Sequence, residues 1–216
     1  MLLRLPGVYS PDSDTELLID AIAEHPLRPG ARALDVGTGT GRVALALKSA
    51  GAATVEAIDI SLRAVFAARL NAALHRLPIR VRRGDLLSHA DGVFDLIVAN
   101  PPYVPCATGR PSGHSRARAW DAGSDGRDLL DRLCAAAPRH LRPNGAVLLV
   151  HSALCDPDRT VAALEDNGLR AAVIREQEIP FGPVLRSRAE WLEQQGLVSP
   201  GQRTERIVVV RGQKHG

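Results

Sequence analysis

Two unbroken apolar runs, Phe94–Ala99 (FDLIVA) and Ala146–Val150 (AVLLV), constrain the fold more than any other feature. A strand with one face in water alternates apolar and polar residues, so a continuous run implies burial on both faces. That condition is met by a parallel sheet covered by helices on each side. The rest of the chain agrees. Thr15–His25 places Leu17, Leu18, Ala21 and Ile22 at helical spacing, with Asp14 as the expected N-cap. Strands are predicted at Ala31–Val36, Thr54–Ile60, Ile79–Arg82, Ala171–Glu178 and Arg206–Arg211, in addition to the two runs. Helices are predicted at Arg42–Ser49, Leu62–His75, Arg127–Leu141 and Arg159–Asn167. The pattern reads as one α/β domain over residues 1–216, with a lead-in segment 1–14 and an insert at 181–203 before the last strand.

Parallel sheets bind ligands beyond the carboxyl ends of their strands, which directs attention to four turns. After the first strand comes Asp35-Val36-Gly37-Thr38-Gly39-Thr40-Gly41, a turn in which glycines let backbone approach a ligand. It departs from the dinucleotide pattern G-x-G-x-x-G, because the third glycine comes one residue early and Arg42 takes its place. Asp35 would repel a pyrophosphate but suits a cationic ligand; an ordinary strand–helix turn is the alternative. Asp59 ends the second strand, where a carboxylate can accept from both hydroxyls of a ribose or cap the next helix. Asp85 follows the third strand and could accept from an adenine amino group, with Leu86 as a wall to the ring; a plain turn is the alternative.

The fourth turn, Asn100-Pro101-Pro102-Tyr103, is the most specific. Two prolines cannot continue a central strand because they lack N–H donors. Asn100 offers a side-chain carbonyl and Pro101 a backbone carbonyl, two acceptors for the two N–H bonds of a planar amino group. Tyr103 can stack on its π face.

Composition excludes several classes. With 45% hydrophobic and 24% charged residues the chain is neither disordered nor fibrous. Cys106, Cys134 and Cys155 have no CxxC spacing and the histidines form no ligand-spaced pair, so neither a metal site nor a disulfide framework is expected. The N-terminal MLLRLPG is too short for a signal peptide and no apolar run approaches the ~20 residues of a membrane span, so a cytoplasmic protein is expected. The net charge of +3 rests on 27 bases, 25 of them Arg. Arginine suits phosphate, which keeps a nucleic-acid partner open. Arg110, His114, Arg116 and Arg118, in the loop 106–120, form either a solvated loop or a basic gate over the acceptor site.

Taken together, the glycine turn, Asp59, Asp85 and Asn100–Tyr103 resemble a class I S-adenosylmethionine-dependent methyltransferase of the HemK/PrmC type. The resemblance runs from Val8 to about Val150. It includes Val8-Tyr9 with Pro11–Leu18, where it places Thr15 beside the cofactor, and Ala119-Trp120 with Gly123, Asp125, Gly126 and Arg127. It implies a Rossmann-like, seven-stranded, mostly parallel sheet with helices on both faces. It also implies S-adenosylmethionine as cofactor, with S-adenosylhomocysteine as product, and the glutamine of a release-factor Gly-Gly-Gln loop as acceptor. Thr15, Asp35, Gly37, Gly39, Gly41, Asp59, Asp85, Leu86 and Asn100 then bind cofactor, while Asn100, Pro101, Pro102 and Tyr103 bind and orient the acceptor. No histidine is given a catalytic role; His151, at a strand end, is the one to watch. The same four-residue motif serves amino-methyltransferases of RNA and DNA, and a small-molecule amine is a further alternative. The family's bacterial members carry an N-terminal helical docking domain, whereas about fifteen residues precede the first helix here, as in its archaeal and eukaryotic branch. The eukaryotic member works with a small partner, so an activating subunit is a further expectation. In the insert, Leu185, Ala189 and Leu192 fall at helical spacing with Trp191 beside them; core packing is the leading reading and a docking face the other.

Overall fold

The computed structural model describes residues 2–88, 90–107 and 120–216. Seven strands, β1 (Arg32–Val36), β2 (Thr54–Asp59), β3 (Ile79–Arg83), β4 (Phe94–Ala99), β5 (Leu141–Ser152), β6 (Leu169–Pro180) and β7 (Thr204–Lys214), form one sheet in the order β3-β2-β1-β4-β5-β7-β6. The first five pair in parallel and β7 runs antiparallel between β5 and β6. The strand order reverses between β1 and β4, the crevice where doubly wound sheets take ligands.

Alternate residues of the central strands face opposite sides. Leu96 and Val98 join an apolar cluster with α1 (Ser13–Glu24), α2 (Arg42–Ser49) and α3 (Leu62–Leu74). Ile97 and Ala99 join a second cluster with α4 (Asp128–Ala136) and α5 (Pro157–Asp166). Every residue of β4 is buried, as the unbroken run requires. A third, smaller cluster gathers Leu185 and Leu192 of α6 (Pro183–Gln194) with Phe181, Val104 and Val198. The insert is thus a packed helix, and Trp191 lies against this cluster.

Two local expectations are corrected. Asp12, not Asp14, caps α1, accepting from the Ser13 amide; Asp14 falls inside the first turn and turns inward. The helix predicted over Arg127–Leu141 ends at Ala136 and tightens into a 3₁₀ turn over Ala137–His140 that contains Pro138. Proline has no N–H to continue the α-helical ladder, which accounts for the change. Among the described residues no helix is long and apolar enough to cross a membrane.

Candidate active site

The carboxyl ends of β1–β4, the N-terminal segment and the start of α6 enclose a cavity of about 980 Å³. Of the site residues expected from the sequence, Thr15, Asp35, Gly37, Gly39, Asp59, Asp85, Leu86, Asn100, Pro101, Pro102 and Tyr103 all line it. Gly41 does not. Its backbone sits at φ 84° and a Cβ there would lie 3.1 Å from Ala68 Cα, so this glycine serves the close approach of α2 to α3.

One half of the cavity is built on the glycine turn. The amides of Gly37 and Thr38 donate to the Ile58 carbonyl at 2.8 and 3.0 Å, which joins the turn to the end of β2. Asp35 is buried beneath the turn, accepting the Thr38 hydroxyl at 2.6 Å and the Ala44 amide. Burial raises its carboxyl to about 7 against those two hydrogen bonds, and the charge of Asp59 adds to the rise. Asp59 accepts the Gly39 amide on Oδ2 at 2.9 Å and the Ser61 amide on Oδ1 at 2.8 Å. Burial raises its carboxyl too, while these amides oppose the rise. Each carboxylate oxygen has a second lone pair, so both can still accept from a ligand. The alternative role of Asp59 as helix cap falls to Ser61, whose side chain accepts from the Ala64 amide. Asp85 forms the far wall with Leu86 and pairs with Arg132 at 2.7 Å.

The other half centres on Asp14, which sequence reasoning placed at the helix end. The Tyr9 hydroxyl reaches both oxygens of Asp14 at 2.8–2.9 Å, and the Tyr103 hydroxyl donates to Oδ2 at 2.9 Å. The Thr15 amide and hydroxyl donate to Oδ1 at 2.5 and 3.1 Å. Because the Thr15 hydroxyl gives its hydrogen to Asp14, its oxygen faces Asn100 as an acceptor and receives Nδ2–H at 3.2 Å. This relay fixes the amide orientation of Asn100, so that among the described residues its Oδ1 is left to take a donor. Burial and then the charge of Asp14 hold the Tyr103 and Tyr9 phenols well above their usual range, so both remain donors.

The segment after Tyr103 is clamped from behind. The Val104 amide donates to the Trp120 carbonyl at 2.8 Å, the Ala122 amide to Val104 at 3.1 Å and the Cys106 amide to Gly123 at 2.9 Å. Gly126, at φ 74°, lies so close to the Tyr103 carbonyl that a Cβ would strike it, and the Cys155 thiol donates to that same carbonyl at 3.0 Å. The Arg127 guanidinium is fully buried and reaches the carbonyls of Cys155 and Asp156, Thr160 Oγ1 and the Asp131 carboxylate. The residues from Trp120 to Arg127 are therefore a brace for the Asn-Pro-Pro-Tyr turn. From α6, Arg188 adds a bond to the Pro105 carbonyl at 2.9 Å and an ion pair with Asp121 at 2.6 Å.

His151 is buried, with Nδ1 2.9 Å from the Ser152 carbonyl, and burial lowers it to about 4. It does not line the cavity. Arg110, His114, Arg116 and Arg118, the proposed gate, lie outside the described residues. Asp14 and Glu205 line the cavity without having been singled out for it. Asp14 was within reach of sequence reasoning, since it directly precedes Thr15 in the segment already matched.

Residues 1–110 match the family model described as methyltransferase small domain. A Methanocaldococcus jannaschii protein named for N5-glutamine methyltransferase activity is 31% identical, the match covering 83% of this chain and 90% of that one. The release factor glutamine methyltransferase of Deinococcus radiodurans is 45% identical over 64% of this chain and 52% of its own length, so the chain spans about half of that relative. Among solved structures, the E. cuniculi Mtq2–Trm112 complex, described as responsible for methylating the translation termination factor eRF1, contains a chain that is 25% identical. The match covers 96% of this chain and 99% of that one, with a TM-score of 0.67.

Proposed function

The chain belongs to the methyltransferase small domain family, and from that premise we propose that it transfers a methyl group from S-adenosylmethionine to the side-chain amide of a glutamine, in the Gly-Gly-Gln loop of a peptide-chain release factor. The cavity fits this cofactor. At Gly37 and Gly39 an added Cβ would meet nothing nearer than 4.0 Å, so the space above the turn is open to a ligand. The carboxylates of Asp35 and Asp59 make that half suited to hydroxyls and positive charge and unsuited to a pyrophosphate. Asp59 would hold the ribose, Asp85 and Leu86 the base, and Thr15 with the glycine turn the amino-acid end. When bound, the cofactor supplies a methyl group electrophilic enough that the nucleophile has mainly to be placed in line.

The observation that carries the acceptor reading is the orientation of Asn100. With Nδ2 committed to Thr15, Oδ1 accepts one N–H of the incoming amide, and the Pro101 carbonyl accepts the other. An amide nitrogen is a weak nucleophile because its lone pair is delocalised. Two fixed carbonyl dipoles aim it and stabilise the positive charge that develops as the N–C bond forms. Tyr103, its hydroxyl held by Asp14, presents its ring to the planar group. The methylated nitrogen is acidic and loses its proton to water, so no side-chain base enters the scheme. The archaeal and bacterial relatives named for glutamine methylation support the substrate class. The likeness to the two-protein complex adds a small activating subunit to the proposal.

Asn100→Ala tests this reading. Loss of one oriented acceptor lowers kcat on a Gly-Gly-Gln peptide by about 10²–10³-fold, roughly 2.7–4 kcal/mol. The dissociation constant for S-adenosylmethionine, measured alongside by calorimetry, separates loss of acceptor positioning from loss of cofactor binding at Asn100. A variant with intact turnover would remove Asn100 from the acceptor site.

A further inference from the structure

Because β7 runs antiparallel to β5, its first residues rather than its last reach the ligand edge of the sheet. Glu205, the second residue of β7, pairs with Ile179 of β6 and lies two positions before Ile207, which pairs with Ser152 at the end of β5. That register sets the carboxylate in the cavity wall, 6% exposed. Oε2 of this carboxylate has no hydrogen-bond partner among the described residues. Arg82 Nε and His151 Nε2 are also buried without partners, but neither residue lines the cavity. A buried carboxylate oxygen without a donor weakens the fold, so its place in a binding cavity asks for a ligand that supplies one. Burial raises the Glu205 carboxyl to about 7 against the Ser152 hydrogen bond, with the charge of Asp14 adding to the rise; a ligand donor would reverse it.

We propose that Glu205 is an acceptor-binding residue whose Oε2 receives a peptide N–H flanking the methylated glutamine. This rests on the glutamine reading above and adds to it a contact with the main chain of the acceptor. Both N–H bonds of the acceptor amide are taken by Asn100 and Pro101. Asp14, the neighbouring carboxylate, already receives Tyr9, Tyr103 and both donors of Thr15. The donors left on a Gly-Gly-Gln segment are main-chain N–H groups, and glycine carries no side chain to keep them from a buried oxygen. Phe181, Gly182, Val184 and Leu185 line the cavity too, so the insert supplies an apolar wall that strengthens such a bond by excluding water.

Glu205→Gln and Glu205→Asp test the assignment, using the full chain, S-adenosylmethionine and a Gly-Gly-Gln peptide, with the candidate partner subunit present. Glutamine keeps the shape and removes the charge, while aspartate keeps the charge and withdraws it. Both should raise the peptide KM about tenfold or more, the scale of a lost hydrogen bond to a charged group. kcat at saturating peptide and the cofactor dissociation constant should hold near the parent values, a split that a merely structural role would not produce. An unchanged KM overturns the proposal. Weakened cofactor binding in both variants also overturns it, placing Glu205 on the cofactor instead. A parent enzyme that leaves the peptide unmodified overturns the glutamine reading and this contact with it, whereas an active parent with unaffected variants overturns the contact alone.

Discussion

Asp14 organises the half of the cavity around Asn100 and Tyr103 from inside the first turn of α1. Its carboxylate collects two phenols, an amide and a hydroxyl, and through Thr15 it determines which way Asn100 points. Asp14→Asn turns an acceptor-only group into one that carries two donors, so the hydroxyls of Tyr9, Tyr103 and Thr15 can no longer all donate to it. The expected loss is about 1.5–3 kcal/mol of stability, the scale of a hydrogen bond to a charged group, read by urea denaturation. An unchanged midpoint would contradict the network. Asp35 gives a prediction in pH. Its carboxyl is raised from 3.8 to about 7 by burial, so the folded chain keeps a proton that the unfolded chain has released. The stabilisation from this group is complete below its unfolded value and is lost as the pH climbs through about 7. Glu205 titrates in the same direction and the buried His151, lowered to about 4, in the opposite one. A difference between Asp35→Asn and the parent removes the parts of Glu205 and His151, which are common to both, and reads Asp35 together with its coupling to Asp59. The melting temperature of the variant relative to the parent should rise between about pH 4 and pH 7 and level off above that, and parallel curves would contradict the burial argument.

At the scale of elements, the brace behind Tyr103 and the α6 insert do what the parallel strands alone cannot, which is to shape the end of the crevice around Asn100–Tyr103. Leu192 is fully buried in the small cluster that joins α6 to Phe181, Val104 and Val198. Leu192→Ala should cost about 2–5 kcal/mol in urea denaturation, whereas an effect below about 0.5 kcal/mol would mean that the helix is not packed there. The parallel elements were readable because unbroken apolar runs and the turns after them carry their own signals, and eleven of the twelve expected site residues line the cavity. What was not readable depended on partners far away in the chain. Nothing in TERIVVV shows that its strand runs antiparallel and brings its first residues to the ligand edge, so the sequence carries no signal for Glu205. The burial of Arg127 likewise depends on carbonyls at 155 and 156, which only the folded chain brings near. Gly41 misled for the opposite reason: glycine serves close packing of helices as well as close approach of ligands, and its neighbour here is Ala68.

For the whole molecule, a cofactor that binds the folded chain and not the unfolded one must stabilise it. At a hundred times its dissociation constant S-adenosylmethionine should contribute about 2.7 kcal/mol, seen as a rise in melting temperature that Asp59→Ala diminishes. The central claim is the identity of the acceptor, and mass spectrometry tests it most directly. The chain is incubated with S-adenosylmethionine and a release factor, with a candidate partner subunit present, and the Gly-Gly-Gln peptide is fragmented. The account predicts one methyl group on the glutamine side-chain nitrogen. An unmodified glutamine in the presence of bound cofactor, or a methyl group on any other residue, would contradict it.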